Sequence, residues 1–261
     1  MGWRKRKGCP SKVELLMAGA SAERQENKFV ADVKAAVKKN GVAITVCAGK
    51  ITIAQVTGAE KFNGRQTSGS EPYIDVNLIL KNGKKIGLSM KGESAPSLAG
   101  GGLKGINLAV PGLATRFMKE VFKHLSKKIE AGDKVPDVYG KIAAMHKEKI
   151  VVGNTAMGGP IDYMYIGKMD PTSRYDPKTN KLTFNNGSFF EAKQYAKSHE
   201  LYFRLRARRE DQVFDPSNLD SQLVPKIYSK SPSRGDSSGR IVVTDKVPAN
   251  AQQSRNVISI T

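Results

Sequence analysis

The sequence predicts a mixed α/β fold, in which a mixed central sheet is flanked by helices. Two segments carry apolar residues at helical spacing, and several others alternate apolar with polar residues or are rich in β-branched residues, as strands are. A hydrophobic content of 39% over 261 residues is enough to bury a sizeable core. We expect residues 21–224 to form one domain, residues 1–20 a basic arm and residues 225–261 a flexible basic tail with little apolar content.

The first half of the chain predicts a helix, one or two strands and a second helix around a hairpin. The first helix covers residues 21–40, with Ser21 as its N-cap and Asn40-Gly41 as its end. The β-branched segment VAITVCAGKITIAQV, residues 42–56, predicts one or two strands, and residues 58–72 predict a loop. The second helix runs from Pro111 to Ala131, because apolar residues recur there every four positions.

The second half predicts alternating strands and helices. The predicted elements are a strand at IDYMYIG (161–167), a helix at GSFFEAKQYAKSH (187–199) with Ser188 as its cap, a strand at ELYFRLRARRE (200–210) and a short strand at RIVVT (240–244). The order of these elements is typical of a mixed α/β core.

The segment PYIDVNLILKNGKKIGLSMKG, residues 72–92, predicts a hairpin whose register depends on its turn. A two-residue turn at Asn82-Gly83 would point the two apolar faces to opposite sides. A three-residue loop, with Gly83 in the left-handed conformation, aligns them and places Asp75 opposite Ser89. One face then holds Ile74, Val76, Leu78, Leu80, Ile86, Leu88 and Met90, and the other holds Tyr73, Asp75, Asn77, Lys85, Gly87, Ser89 and Lys91, with Ile79 as the exception. We therefore predict the three-residue loop, with Asp75, Ser89 and Lys91 together on the wet surface of the hairpin.

The charge of the chain indicates a polyanionic partner. Lys and Arg number 43 against 24 Asp and Glu, a formal net charge of +19. Such an excess favours nucleic acid, because neutralising phosphates releases condensed counterions. No apolar run is long enough for a membrane span, no secretory signal is recognised, and the two cysteines have no metal-ligand spacing. We expect a cytoplasmic protein of a bacterial or phage-infected cell.

Three charged residues follow one another on a helix and on the two strands of the hairpin. Glu26 lies on the apolar stripe of the first helix, with Glu23 as a weaker candidate one turn earlier. Asp75, in PYID, lies on the first hairpin strand, and Lys91, in Ser89-Met90-Lys91, lies on the second. This order resembles the PD-(D/E)xK nuclease superfamily, which has the restriction-endonuclease-like fold. The position two before the lysine is usually acidic in this superfamily, and here it is Ser89.

The resemblance implies Mg²⁺- or Mn²⁺-dependent hydrolysis of phosphodiester bonds. Asp75, Glu26 and the carbonyl of Met90 would hold the metal ion, and Lys91 would orient the water or stabilise the transition state. Because Ser89 replaces a carboxylate, either Glu26 or Glu93 supplies the missing charge, or the site binds without cutting. The resemblance implies Asp75, Lys91, Glu26 and Ser89 as catalytic residues.

Basic residues outside the hairpin are candidate contacts to a nucleic-acid backbone. Arg204, Arg206 and Arg208 alternate along a predicted strand at a spacing close to that of phosphates, although a charged edge strand that blocks aggregation would look the same. Lys104 in a glycine-rich loop and the basic residues of the N-terminal arm, Arg4, Lys5 and Arg6, are further candidates.

These observations favour an endonuclease that acts on DNA, with RNA as an alternative substrate. A homodimer is compatible with this prediction, because cutting both strands of a duplex usually needs two sites. Two alternatives stay open: a nucleic-acid-binding protein of the same fold without catalysis, and a basic structural component of a virion or ribonucleoprotein.

Overall fold

A computed structural model describes residues 12–64, 72–93, 98, 102–130, 136–206, 212–219, 225–229, 237–238 and 240–260. Its helices are α1 (Lys12–Asn40), α2 (Gly102–Ala109), α3 (Leu113–Glu130), α4 (Ala144–Val152), α5 (Ala192–Ser198) and α6 (Ala249–Gln253), with a 3-10 turn at Thr155–Met157. Its strands are β1 (Ile44–Ala48), β2 (Ile51–Lys61), β3 (Val76–Leu80), β4 (Lys85–Gly92), β5 (Val138–Lys141), β6 (Tyr163–Gly167), β7 (Ser173–Asp176), β8 (Lys181–Phe184), β9 (Gly187–Glu191), β10 (Tyr202–Arg206), β11 (Gln212–Leu219), β12 (Pro225–Ser229), β13 (Ser237–Ser238), β14 (Arg240–Thr244) and β15 (Val257–Ile258).

The fold is α/β, with a mixed sheet of eight strands in the order β7-β8-β1-β2-β3-β4-β6-β9. Strands β1 to β4 are antiparallel to one another in sequence order, and β6 joins β4 in parallel. A second sheet has the order β14-β10-β5-β15, and a three-stranded sheet has the order β11-β12-β13. The predicted mixed central sheet flanked by helices is therefore confirmed.

Helix α1 covers one face of the large sheet and ends where the sequence predicts. Its last residue is Asn40, and Gly41, at φ +71°, donates its N–H to the Val37 carbonyl, so the chain leaves the helix in a left-handed conformation. The predicted N-cap at Ser21 is wrong, because the helix already begins at Lys12. Residues 12–20 are therefore helical rather than part of an arm.

The hairpin of β3 and β4 has the predicted register. Val76 pairs with Leu88 and Ile79 with Lys85. The Leu80 N–H donates to the Lys84 carbonyl at 2.9 Å, which leaves the three residues 81–83 in the loop, and Gly83 has φ +81°. The predicted wet surface is wrong, because Asn77 and Ser89 are 6% and 2% exposed.

Ile74 also differs from its predicted place, because the chain turns before β3 begins. Ile74 belongs to the apolar cluster that joins α2, α3, α4 and α5 to the second sheet, and a Cβ built on Gly87 would lie 3.0 Å from its Cδ1. Ile74 therefore packs against the polar face of the hairpin at Gly87, while Lys85 on the same face is exposed.

Two apolar clusters hold the described part of the chain together. One lies between α1 and the large sheet, where Phe29 stacks on Phe184 with ring centroids 4.3 Å apart. The other joins α2, α3, α4 and α5 to the second sheet through fully buried residues such as Phe117 and Phe203. The predicted second helix is confirmed as α3, whereas α2 begins within the segment expected to be a loop.

In the second half of the chain, one predicted helix needs correction and two predicted strands are confirmed. Residues 187–191 form β9 before α5 begins, because Phe189 and its neighbours pair with β6 instead of continuing the helix. The predicted strand at 161–167 is confirmed as β6, and the strand in 200–210 as β10.

The chain after residue 240 is not a tail. Strand β14, predicted at RIVVT, pairs with β10, and Ile241 and Val243 are buried in the second cluster. Strand β15 then returns to pair with β5. In the described part of the chain, no helix has both the length and the apolar composition that a membrane span requires.

Candidate active site

Asp75 lies directly before β3, with its carboxylate docked on the neighbouring strand β4. The backbone N–H of Met90 donates to Asp75 Oδ2 at 2.6 Å, and the Ser89 hydroxyl donates to the same oxygen at 3.1 Å. The Asp75 N–H in turn donates to the Leu88 carbonyl at 2.9 Å. The carboxylate thus replaces a backbone acceptor at the end of the β3–β4 ladder, and its position is fixed by hydrogen bonds.

Ser89 supports Asp75 in this arrangement rather than taking the place of a second acid. Its side chain is almost fully buried, and its hydroxyl is a donor to Asp75. Lys91 follows two residues later on β4, so strand alternation puts it on the same face as Ser89, in a half-buried position. The predicted pairing of Asp75 with Ser89 across the hairpin is therefore confirmed.

Glu26 on α1 is a half-buried carboxylate next to a lysine from β2. Its side chain is 19% exposed, and Lys61 Nζ lies 3.1 Å from Glu26 Oε2 and 3.7 Å from Glu23 Oε1. Burial raises the pKa of Glu26 above its usual value, the hydrogen bond from Lys61 partly offsets this rise, and the negative charge of Asp75 adds to it. Glu26 is therefore harder to ionise than an ordinary surface glutamate.

Lys61 is a site residue that the sequence did not reveal. It ends β2, where it pairs in register with Val76, and the next residue, Phe62, donates its N–H to the Asp75 carbonyl at 3.0 Å. The sequence places Lys61 in a predicted loop, because strand β2 extends past its β-branched segment into GAEK. The long strand brings this ammonium to Glu26 and Glu23, and its backbone to Asp75.

Gln25 is a second residue that the sequence interpretation missed. It is 1% exposed, and its Nε2 donates to the carbonyls of Lys168 at 2.9 Å, Gly167 at 3.2 Å and Lys91 at 3.4 Å. One amide therefore ties α1 to the ends of β4 and β6, one residue away from Glu26.

The sequence predicts a stripe of Glu26, Val30, Val33 and Val37 on α1, and only its two middle residues, Val30 and Val33, are buried. The buried side also includes Gln25, Phe29 and Ala36, while Glu26 lies at its edge and Val37 is half-buried. The spacing of Gln25, Phe29, Val33 and Ala36, which is itself helical, was the signal that could have identified Gln25.

A cleft opens beside these residues. Its volume is about 970 Å³, and its walls include Lys34 of α1, Lys61 and Phe62 at the end of β2, Ile74 next to Asp75, and Asp162 before β6. The Asp162 carboxylate accepts a hydrogen bond from the Gly87 N–H at 2.8 Å, which joins two walls of the cleft. Lys61 thus contacts Glu26 and also lines the cleft, whereas Glu26 and Asp75 are not among the residues that line it.

The donor set determines which metal ions could be held. In the residues that the structure describes, no group of three or more His, Cys, Asp and Glu side chains is arranged around a common point. Glu26 and Asp75 are a pair of hard oxygen donors, and Mg²⁺ is commonly held by one or two carboxylates together with waters and substrate phosphates. The two carboxylates fit Mg²⁺ or Mn²⁺, and metal binding through Asp75, Glu26 and Met90 stays a prediction.

Arg204, the first of the three alternating arginines predicted to contact phosphates, is already engaged by neighbouring residues. Arg204 donates from Nε to Asp137 Oδ2 at 2.8 Å, pairs with the same oxygen through its terminal nitrogen, and lies over the Tyr139 ring. The edge-strand alternative is wrong, because β10 pairs with β14 on one side and β5 on the other.

The other predicted contacts to nucleic acid are not tested by the structure. The side chains of Arg206 and Lys104, and the whole of Arg208, Arg4, Lys5 and Arg6, lie outside the described residues.

Comparison with known proteins gives no relative for this chain. No protein-family model, no curated protein and no solved structure matches it. The geometry of the site and the charge of the chain therefore carry the functional conclusion.

Proposed function

We propose that this protein is a metal-dependent endonuclease that hydrolyses phosphodiester bonds in DNA, built on a restriction-endonuclease-like core. The observation that carries this proposal is that the end of β2 links Glu26 to Asp75: the Lys61 ammonium lies 3.1 Å from Glu26, Lys61 pairs with Val76, and Phe62 donates its N–H to the Asp75 carbonyl. The negative charge of Asp75 also contributes to the raised pKa of Glu26. Two carboxylates held this way, one of them half-buried, repel each other, and a divalent cation relieves that repulsion. The net charge of +19 supports DNA as the substrate.

The arrangement of elements agrees with the resemblance on which the proposal is based. The acid of the helix is on α1, the aspartate precedes the first hairpin strand, and the lysine is on the second strand. Asp75 is oriented by Ser89 and by the Met90 amide, so one of its oxygens is fixed towards β4. These contacts hold the carboxylate in one orientation before any metal ion binds.

Each residue has a distinct task in the proposed reaction. Glu26 and Asp75 would hold Mg²⁺, with the Met90 carbonyl as a further oxygen ligand. When bound, the metal ion would polarise the scissile phosphate and lower the pKa of a bound water. Lys91, two residues beyond Ser89 on β4, would orient that water or stabilise the negative charge of the transition state. The cleft beside Lys61 would admit the phosphodiester.

The test is plasmid cleavage by purified protein with Mg²⁺ or Mn²⁺. We expect cleavage that EDTA abolishes, and we expect the Asp75→Asn and Lys91→Ala variants to lose at least a hundredfold in rate, as is common when one group that stabilises the transition state is removed. Circular dichroism of each variant shows whether the fold is retained. Cleavage by Asp75→Asn at the wild-type rate would refute the proposal.

A second candidate function is binding of nucleic acid without cleavage. It is favoured by the position of Lys61, whose ammonium contacts Glu26 where a metal ion would otherwise bind. In this case the wild-type protein would bind DNA with a strong salt dependence and show no cleavage with either metal ion.

A further inference from the structure

Lys61 connects Glu26 with the cleft. Its Nζ lies 3.1 Å from Glu26 Oε2, and the same residue lines the cleft. Its side chain is 34% exposed, compared with 19% for Glu26. The ammonium therefore lies at the boundary between a half-buried carboxylate and open space.

The backbone of Lys61 is fixed while its side chain can turn. Lys61 pairs in register with Val76, and the Phe62 N–H donates to the Asp75 carbonyl, so the Cα of Lys61 stays beside Asp75. A lysine carries its charge on a flexible four-carbon chain, which allows Nζ to reach different partners from one backbone position.

A divalent ion at Glu26 and Asp75 would not tolerate the ammonium where it now lies. The ion and Nζ would compete for the same Glu26 oxygen, and their like charges repel strongly in a half-buried site. Glu23, the other partner of Lys61, is 66% exposed, so this second ion pair holds the ammonium only weakly. The open direction for Nζ is the cleft.

We propose that Lys61 exchanges between two positions. Without metal its ammonium pairs with Glu26, and when a divalent ion occupies Glu26 and Asp75 it turns into the cleft and contacts a phosphate oxygen of the substrate. The contribution of Lys61 is electrostatic in both positions, and it transfers no proton. This inference rests on the proposed function and adds a catalytic cation that the resemblance does not include.

The exchange predicts opposite effects of one substitution on metal binding and on turnover. Lys61→Gln removes the competing charge, so Mn²⁺ should bind about tenfold more tightly in a titration without DNA. The same variant lacks the cation in the cleft, so kcat at saturating Mn²⁺ should fall about a hundredfold. Lys61→Arg keeps the charge and should bind Mn²⁺ within about threefold of the wild type.

The matched control is Lys28→Gln, which also removes one positive charge, in this case from α1. Lys28 pairs with Asp32 on the same helix at 3.2 Å, four residues apart and away from the two carboxylates. This variant should leave both the Mn²⁺ affinity and kcat unchanged. Thermal unfolding followed by circular dichroism confirms that each variant is folded.

Each outcome decides the inference. Tighter Mn²⁺ binding together with a lower kcat in Lys61→Gln supports it. A second outcome is that the wild type binds Mn²⁺ and cleaves DNA while Lys61→Gln binds Mn²⁺ equally or less tightly. This result overturns the exchange and leaves the proposed function standing. If neither protein binds Mn²⁺, the proposed function and the exchange are both refuted. If Lys61→Gln does not fold, Lys61→Arg provides the test. Because arginine keeps the competing charge, Mn²⁺ binding by Lys61→Arg that is clearly tighter than that of the wild type would overturn the exchange.

Discussion

Replacing Gln25 by methionine tests how α1 is attached to the large sheet. The amide of Gln25 is buried and donates to three carbonyls at the ends of β4 and β6, at 2.9, 3.2 and 3.4 Å. Methionine has a similar length and no donor, so Gln25→Met removes these hydrogen bonds with little change in volume.

The expected loss of stability follows from the number of hydrogen bonds. The amide has two N–H groups, so at most two of the three contacts are full hydrogen bonds, and the contact at 3.4 Å to Lys91 is the weakest. A hydrogen bond contributes about 1 kcal/mol net, and a buried carbonyl left without a partner costs about 1–3 kcal/mol. Gln25→Met should therefore lower the free energy of unfolding by about 2–4 kcal/mol, a large part of the roughly 5–15 kcal/mol of a typical domain.

Urea denaturation measures this loss directly. Asn27→Ala, two positions away on the exposed side of α1, is the control and should change the free energy of unfolding by less than about 0.5 kcal/mol. A loss below about 1 kcal/mol in Gln25→Met would show that the three carbonyls find other partners. The interpretation of Gln25 as the attachment point of α1 would then be wrong.

Two further predictions concern the candidate site and the hairpin. Folding raises the pKa of Glu26 above its ordinary value of 4.5, so the folded state binds more protons than the unfolded state. The proton bound to Glu26 therefore stabilises the fold below pH 4.5, and this stabilisation is lost as the pH rises through the pKa of the folded state. Urea unfolding at about pH 4 and about pH 7 should therefore show a smaller fall in stability for Glu26→Gln than for the wild type, and equal falls would contradict the raised pKa. Gly83 has φ +81° and no atom within 4 Å of an added Cβ, so Gly83→Ala should cost about 1 kcal/mol of backbone strain, and Gly83→Asn less. Equal stabilities of wild type, Gly83→Ala and Gly83→Asn in urea would argue against the left-handed loop.

The hairpin is the part of the molecule that the sequence predicted in most detail. Only a three-residue loop puts its apolar residues on one face, and the observed pairing of Val76 with Leu88 has that register. The contact between Asp75 and Ser89 follows from the same register. Local alternation and one glycine were sufficient, because a shift of one residue would turn every side chain to the wrong face.

Other elements depended on partners that are distant in the sequence. The sequence predicts residues 187–191 as the start of a helix, but they form β9, since β6 offers a free edge for them. The polar composition after residue 225 predicted a tail, yet β14 is held because β10 lies beside it. Where an unpaired strand edge is available, its backbone hydrogen bonds override local preference.

The sequence by itself determined the α/β class, the register of the hairpin, the juxtaposition of Asp75 with Ser89 and the positive charge of the chain, because each depends on composition or on residues close together along the chain. Only the tertiary structure decided that Lys61 pairs with Glu26, that Gln25 fastens α1 to β4 and β6, and that Arg204 is engaged with Asp137. Those contacts join segments that meet only after the sheets have assembled. A pattern within a single segment contains no information about which side chain a distant strand will bring beside it.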